Sequence, residues 1–356
     1  MADELLLKLP KYVIGGWMDI RVTRGIERCP NDFEIRMTES YPGQASQVVV
    51  QAGDPCQVLL GKDVVLTGYV DRVMRSLTGR THEITVTGRG KCQDLVDCSA
   101  LWEGNQITNS NILQVAQKLA KPYGISVSSV RGQDVGLPIP MFNFGLGESA
   151  FSIIETMCRY RAFLAYELPD GSLHLERVST RRAASGLREG VNVEEAYTYH
   201  AMDERFSKYD SFLVSVDLFR DAGEGGNLLK AVLDAGVPRF RHRYVHVEAP
   251  PAMGEDVMLS RARWEANRRA GRSFQVRVKT DVWRDSAGKL YEPNTLIEVD
   301  LPSLKVAKQD LLIGDVSYSA DASGTHCELL LMPPKAFDVQ PATYPGWLDV
   351  VPAKAP

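Results

Sequence analysis

Among the 356 residues, the first candidates for chemistry are His242 and His246. Four residues apart on a helix, two imidazoles share a face and can hold zinc. Here the run from Arg241 to Val247 reads as a strand, and Arg239, Arg241 and Arg243 would repel a cation. The sequence therefore predicts a surface strand and no metal. Gly145-Leu146-Gly147 precedes a helical stretch and resembles a phosphate loop, but it lacks the third glycine and the Gly-Lys-Ser/Thr ending that cradle phosphate. Gly88-Arg89-Gly90-Lys91 fails the same test. Asp94 with Asp97, and Glu194 with Glu195, are residue types that serve acid–base catalysis. Spacing along a chain does not put such a pair in a cleft, so solvated or capping carboxylates are expected. The six histidines are scattered and select no Ser/His/Asp set. No catalytic, cofactor or metal site is expected.

One charge feature stands apart. Between Arg239 and Lys279 there are ten Lys/Arg against four Asp/Glu. Arg261, Arg263, Arg268, Arg269 and Arg272 crowd a helical stretch, where cations near a C-terminus suit the helix dipole. The readings are a solvated face or a basic patch toward an acidic protein neighbour or passing DNA.

The elements that must position these residues change period along the chain. In the first hundred residues Met18, Ile20 and Val22 alternate with polar neighbours, as do Phe33, Ile35 and Met37, and Ile84 and Val86. Period-two alternation puts one face in a core. Turn residues such as Pro30-Asn31-Asp32, Pro42-Gly43, Gly53-Asp54-Pro55 and Thr78-Gly79 divide the runs, as in a barrel or sandwich of short antiparallel strands. The middle is helical. From a cap at Asn109 or Ser110, Ile112, Leu113, Ala116, Leu119 and Ala120 make one stripe, ended by Pro122 and Gly124. A second helix is expected over Ser149–Arg161 with Phe151, Ile154, Met157 and Cys158 inward. A hairpin then turns at Pro169-Asp170-Gly171-Ser172. Strands return with Phe212, Val214, Val216 and Leu218, and with Phe274, Val276 and Val278. One helix interrupts them near Glu255–Ala270, with Gly271 as its stop. A loop is expected over Ala222–Asn227.

The fold class that follows is mixed, β-rich α+β: two related β-barrel-like domains flanking a small α/β domain. The expected boundaries are 1–99, 100–180 and 181–335, with the inserted helix near 255–270, and 336–356 as an extended Pro-rich tail. An internal echo supports the pairing of the β units. Leu66-Thr67-Gly68-Tyr69-Val70 resembles Leu312-Ile313-Gly314-Asp315-Val316; Gly79, Thr81 and His82 follow the first, and Gly324, Thr325 and His326 the second. If the echo marks a duplication, Gly68 matches Gly314 and His82 matches His326. Two hairpins sharing turn residues by chance is the alternative.

Composition fits an ordinary globular protein, 44% hydrophobic and 24% charged, with a net charge of −4 that excludes a uniformly nucleic-acid- or acidic-membrane-binding surface. Lys8, Pro10 and Lys11 interrupt the apolar N-terminus, and Asp3 and Glu4 open it where a secretory signal carries positive charge. The expected place of synthesis and assembly is a bacterial cytoplasm, with no stable membrane binding. Cys29, Cys56, Cys92, Cys98, Cys158 and Cys327 show no Cys-x-x-Cys spacing and are expected to be small buried thiols.

Several ordered segments together resemble a known family. They are Gly88-Arg89-Gly90-Lys91-Cys92-Gln93-Asp94-Leu95-Val96-Asp97-Cys98-Ser99, Leu187-Arg188-Glu189-Gly190-Val191-Asn192, Arg261-Ala262-Arg263-Trp264-Glu265-Ala266-Asn267-Arg268-Arg269-Ala270-Gly271-Arg272-Ser273, Val282-Trp283-Arg284 and Gly288-Lys289-Leu290-Tyr291-Glu292-Pro293-Asn294. In order and spacing they resemble the baseplate hub proteins of phage Mu and Mu-like prophages, over nearly the whole chain; Tyr291, where the family often has tryptophan, departs mildly. The resemblance implies kinship with the N-terminal part of type VI secretion spikes. It implies a homotrimeric ring in the virion tail, between a six-fold tube and a three-fold spike. Spike, tube and other baseplate proteins would be partners, and DNA would only pass through the channel. Within that reading Gly88 and Gly271 serve turns, and Asp94 and Asp97 cap amides or pair with Arg89. Trp264 and Trp283 pack between the helix and the second β unit, and Trp264→Ala would cost about 3 kcal/mol. The rival is a tail-associated glycan hydrolase or carbohydrate-binding module, which needs two carboxylates in a cleft and sugar-stacking aromatics.

Overall fold

The computed structural model describes residues 4–15, 19–38, 50–78, 82–133, 135, 138–159, 162–214, 227–246 and 254–338. Outside them lie Met18, Pro42-Gly43, Gly79, Thr81, Arg161, Val216, Leu218, most of the expected loop before Asn227 and most of the Pro-rich tail.

The first β unit has seven strands: β1 (Leu5–Lys8), β2 (Val13–Ile14), β3 (Asp19–Gly25), β4 (Asp32–Thr38), β5 (Pro55–Leu60), β6 (Asp63–Leu77) and β7 (His82–Gly90). All pair antiparallel, in the order β2-β1-β5-β6-β7-β4-β3. The alternating residues do what their period dictates: Ile20, Val22, Phe33, Ile35, Met37, Ile84 and Val86 are buried.

A compact α/β unit follows. It contains α1 (Gln93–Asp97), β8 (Gln106–Ser110), α2 (Ile112–Ala120), β9 (Val127–Ser129), β10 (Ile139–Asn143), α3 (Ala150–Arg159), β11 (Leu164–Glu167) and β12 (Leu173–Glu176). The cap of α2 is Asn111, not Asn109 or Ser110: Asn111 Oδ1 accepts the Gln114 amide and Gln114 Oε1 accepts the Asn111 amide, a reciprocal box. Ile112, Val115, Ala116 and Leu119 of α2 pack with Ile153, Ile154, Met157 and Cys158 of α3; Phe151 is only partly covered.

The last unit has β13 (Leu187–Arg188), β14 (Glu195–His200), β15 (Lys208–Val214), β16 (Asn227–Leu233), β17 (His242–His246), α4 (Gly254–Arg272), β18 (Phe274–Thr280), β19 (Leu296–Leu301), β20 (Val306–Asp321) and β21 (Gly324–Met332). β15, β16 and β17 form a separate sheet, and Tyr209, Val245, Ala262 and Ala266 make a small core between it and α4. The remaining strands run β14-β18-β21-β20, with β19 also on β20.

The two β units share a strand order: β5-β6-β7-β4-β3 in one, β19-β20-β21-β18-β14 in the other. Register makes the match closer. β6 is bulged between Val70 and Arg72, and β20 between Ile313 and Asp315. Superposing the bulges carries Arg72 to Asp315, Ile84 to Cys327 and Ile35 to Val278 by one constant shift. That shift corrects the sequence echo. It sets Gly68 opposite Leu311 and His82 opposite Thr325, so neither Gly68/Gly314 nor His82/His326 is an equivalent pair. The short motif matched turn-forming residue types, whereas the repeat resides in strand pairing.

No closed barrel forms among the described residues. Asp315–Ala320 of β20 pair with Gly25–Ile20 of β3, which joins the two units into one open 13-stranded sheet. In the first unit, the β3 edge that closure would use is occupied by β20. One apolar core, from Leu5 to Leu331, runs beneath both.

Candidate functional site

The hairpin β11–β12 is the hinge-pin of the molecule. Each of its strands ends in a buried glutamate, and each glutamate fastens a different β unit. At the first joint, Glu167 Oε1 accepts the Cys92 amide at 2.8 Å and Oε2 accepts the Asn31 amide at 2.9 Å. Its carbonyl accepts Asn31 Nδ2 at 3.1 Å. One carboxylate thus bridges the start of β4 and the exit of β7. Burial pushes the carboxyl up to about 7, opposed by the two amides and by Arg24. A Cβ on Gly90 would stand 1.9 Å from Glu167 Oε2, so only glycine lets the carboxylate in.

At the second joint, Glu176 Oε2 accepts the Tyr166 hydroxyl at 2.5 Å, Arg181 Nη2 at 2.9 Å and Asn294 Nδ2 at 3.0 Å. Asn294 is fully buried with φ 58°, a left-handed conformation that asparagine tolerates. Its Oδ1 accepts the Ser179 amide at 2.8 Å, and its own amide donates to the Ile313 carbonyl. The motif Pro293-Asn294 therefore ties the last β unit to the α/β unit. The sequence reading missed both glutamates. A signal existed: Glu167 is the one charged residue in the run Phe163–Leu168.

The other motif residues fall into place around these joints. Arg89 reaches Asp71 at 2.6 Å and Asp97 through both guanidinium nitrogens, at 2.7 and 3.2 Å, and this pairing raises its pKa. The Asp94 carbonyl accepts the Cys98 amide, and partial burial raises its carboxyl's pKa. Gly88 and Gly271 are not turn residues. Gly88 lies inside β7, where a Cβ would meet the Tyr69 carbonyl at 2.3 Å and the Phe33 ring at 2.5 Å. Gly271 lies inside α4, where a Cβ would meet the Ala336 nitrogen at 2.5 Å.

Trp283 is buried and donates to the His326 carbonyl at 2.9 Å. Trp264 is not a core residue. It is half-buried beside a 270 Å³ groove, its Nε1 bonded to the Asp338 carbonyl, with the Arg261 and Arg268 guanidiniums 4.5 and 5.6 Å from its ring. Four of the five arginines of the cluster find carboxylates within the chain. Arg268 and Arg272 pair with Glu27, Arg269 with Glu265 and Glu204, and Arg261 with Glu265; Arg263 is exposed. Loss of solvation lowers the Arg261 pKa.

Two histidine arrangements bear on chemistry. His242 and His246 lie on β17; His242 Nε2 bonds Asp210 at 2.7 Å, His246 stacks on Phe212, and no metal-binding cluster occurs among the described residues. Ser323 Oγ lies 2.8 Å from His326 Nε2, and His326 Nδ1 lies 2.9 Å from Glu194 Oε2, distances that a nucleophile relay would show. Ser323, however, sits at the exposed tip of the β20–β21 hairpin and donates its proton to Asp321 Oδ1. The arrangement braces a turn.

Comparison with known proteins places this architecture. Three family models match in succession: the N-terminal domain of the Mu phage baseplate assembly protein GpP-like group over residues 6–90, the second domain of baseplate hub protein gp44-like over 92–177, and the fourth domain of Mu phage baseplate assembly protein GpP over 255–340. The chain is 25% identical to baseplate hub protein gp44 of Escherichia phage Mu over 347 residues, 95% of this chain and 89% of that one. Over nearly its whole length the chain is similar to Mu-type baseplate hub and assembly proteins. Among solved structures, the chain resembles the 43 kDa tail protein of prophage MuSo2 from Shewanella oneidensis, with 28% identity, TM-score 0.84 and coverage of 95% and 100% of the two chains. A tail protein of Neisseria meningitidis shares the fold at 16% identity, with TM-score 0.79 and coverage of 97% and 100%. A component of the E. coli type VI secretion system, described as similar to phage T4 tail proteins gp27 and gp5, shares it at 9% identity, with TM-score 0.54 and coverage of 95% and 78%. The family boundaries fall at the joints: the first match ends at Gly90 and the second ends one residue past Glu176.

Proposed function

We propose that this chain is the non-enzymatic hub of a contractile tail baseplate, three copies forming a ring that joins a six-fold tube to a three-fold spike around a central channel. The observation that carries the reading is the repeated strand order with its common bulge, β5-β6-β7-β4-β3 against β19-β20-β21-β18-β14. One chain offers two like β units, so three chains offer six, which is what a three-fold assembly needs to meet a six-fold one. In the ring the two units act as related barrel-like modules, completed by contacts between copies. A closed three-fold ring uses one heterologous interface three times and covers sheet edges that otherwise invite aggregation. The partners are the spike, the tube and other baseplate proteins, and DNA meets the channel without sequence preference. The hub is assembled in the host cytoplasm and resides in the virion tail. The glycan-hydrolase reading has less support, because Glu167 and Glu176 are consumed in structural joints.

The test is the solution mass and negative-stain image of the hub with its spike. A trimeric ring with a central hole is expected, and a monomer under both conditions overturns the proposal. Peptidoglycan or nucleotide turnover abolished by one carboxylate substitution would refute its non-enzymatic part.

A further inference from the structure

We propose that copies of this chain join by strand addition, β14 of one copy pairing antiparallel with the far half of β6, Arg72–Leu77, of the next. The inference rests on the ring reading above and gives its seam a register. The template lies inside the chain. Beyond the bulge of β20, Asp315–Ala320 pair on one side with β21 and on the other with Gly25–Ile20 of β3. This contact is head-to-tail: β3 belongs to the first unit, and β20 is the second unit's counterpart of β6. Repeating a head-to-tail contact between like units generates a ring where the rotation closes. The next such contact needs the second unit's counterpart of β3, which is β14, and the first unit's β6 beyond its own bulge.

Both strands are placed for it. β14 ends the 13-stranded sheet with β18 as its one neighbour. β5 pairs with Asp63–Tyr69 of β6 and stops before the bulge; beyond it, β7 is the one strand partner among the described residues. Carrying the internal register across fixes the pairs. Ile35 and Val278 are equivalent, and they face Ile20 and Ala196, so Ile20 maps to Ala196. With Asp315 mapping to Arg72, the internal pairs Ser317–Thr23, Ser319–Arg21 and Ala320–Ile20 become Met74–Tyr199, Ser76–Tyr197 and Leu77–Ala196 between copies. Exposure singles out the same residues: Met74, Leu77, Tyr197 and Tyr199 are each more than half exposed. An open strand carrying such a row invites pairing. Val73 and Ala196 already lie against the main core, so the seam extends that core from one copy to the next. Where the internal seam carries the Thr23–Ser317 hydroxyl bond, the seam between copies sets a thioether against a phenol ring, a cross-strand pair stabilised by leaving water.

The experiment uses the full-length chain with its spike, carrying Met74→Cys and Tyr199→Cys together, oxidised mildly and run on a non-reducing gel. Opposed residues of an antiparallel pair have Cα atoms about 4.5–5.5 Å apart, inside the roughly 4.4–6.8 Å window a disulfide accepts. A covalent trimer reversed by dithiothreitol is expected, with peptide mapping joining positions 74 and 199. Met74→Cys alone, Tyr199→Cys alone, and Met74→Cys with Thr198→Cys, whose side chains take opposite faces, should run as monomers. A trimer by solution mass that forms no link between positions 74 and 199 overturns the register and leaves the ring standing. A monomer with and without the spike overturns both. Should the double variant lose its fold, hydrogen exchange of the unaltered protein decides: amides of β14 and of Arg72–Leu77 must gain protection together on assembly, and unchanged exchange in either strand overturns the proposal.

Discussion

Glu167 and Glu176 end the two strands of one hairpin, both are buried, and each clamps the α/β unit to a different β unit. They are neutralised in opposite ways. Glu176 meets a guanidinium, a phenol and an amide side chain, so its charge is matched by Arg181. Glu167 meets backbone amides, with its nearest cationic influence the buried Arg24, and its carboxyl rises to about 7. A joint made of main chain around a desolvated acid is tuned by protons. The lesson is that burial alone does not set the behaviour of a carboxylate; what it is buried against does.

The largest effect expected is at the main-chain joint. Gly90→Ala drives a methyl into a carboxylate that two amides hold fixed, and should destabilise the fold by about 3 kcal/mol or more. An unchanged urea midpoint would show that Glu167 is free to swing away.

Next is pH. The folded carboxyl is raised above its ordinary value of 4.5, so the folded state holds the proton more tightly than the unfolded state. The stability it contributes is greatest below pH 4.5, is lost as pH climbs to about 7, and stays constant above that. Over that window the loss is on the order of 3 kcal/mol. Because Asp210 and Asp234 have lowered values and drive the opposite trend, the measurement is a difference. Urea unfolding of the parent minus that of Glu167→Gln should slope downward across the window, and parallel curves would sink the contrast between the joints.

At the side-chain joint, Glu176→Ala strands the Tyr166 hydroxyl and weakens the hold on Asn294. A cost of roughly 2 kcal/mol is expected. The smallest effect belongs to Trp264→Ala. With the ring half-exposed between two guanidiniums, roughly 1 kcal/mol should be lost, not the 3 of a core aromatic. Thermal melts of the two variants side by side would rank them.

What could be read from the sequence follows the range of the forces. Alternation found β3, β4, β7 and β18, and the helical stripes found α2, α3 and α4, because burial of one face is a local pattern. The ordered motifs carried the family. The joints stayed hidden because Glu167 meets Asn31 from 136 residues away and Asn294 meets Glu176 from 118. The arginine cluster looked like a patch because its main counter-ion, Glu27, lies 241 residues before Arg268. The hairpin echo failed in register because glycine and threonine mark turns wherever turns occur, while the bulge that defines the repeat has no residue signature: Asp71 in one unit, Gly314 in the other.

The pairing of β3 with β20 also sets a schedule. Thr23 and Ser317 share a hydrogen bond across 294 residues, so one side of β3 must wait for its neighbour while almost the entire chain is still being made. At about 5–20 residues per second on a ribosome, that wait is roughly 15–60 seconds. For that time a nascent strand presents open amides and carbonyls in a crowded cell, so the chain is most vulnerable to misassociation before its last strands emerge. Truncation anywhere before β20 would make that exposure permanent.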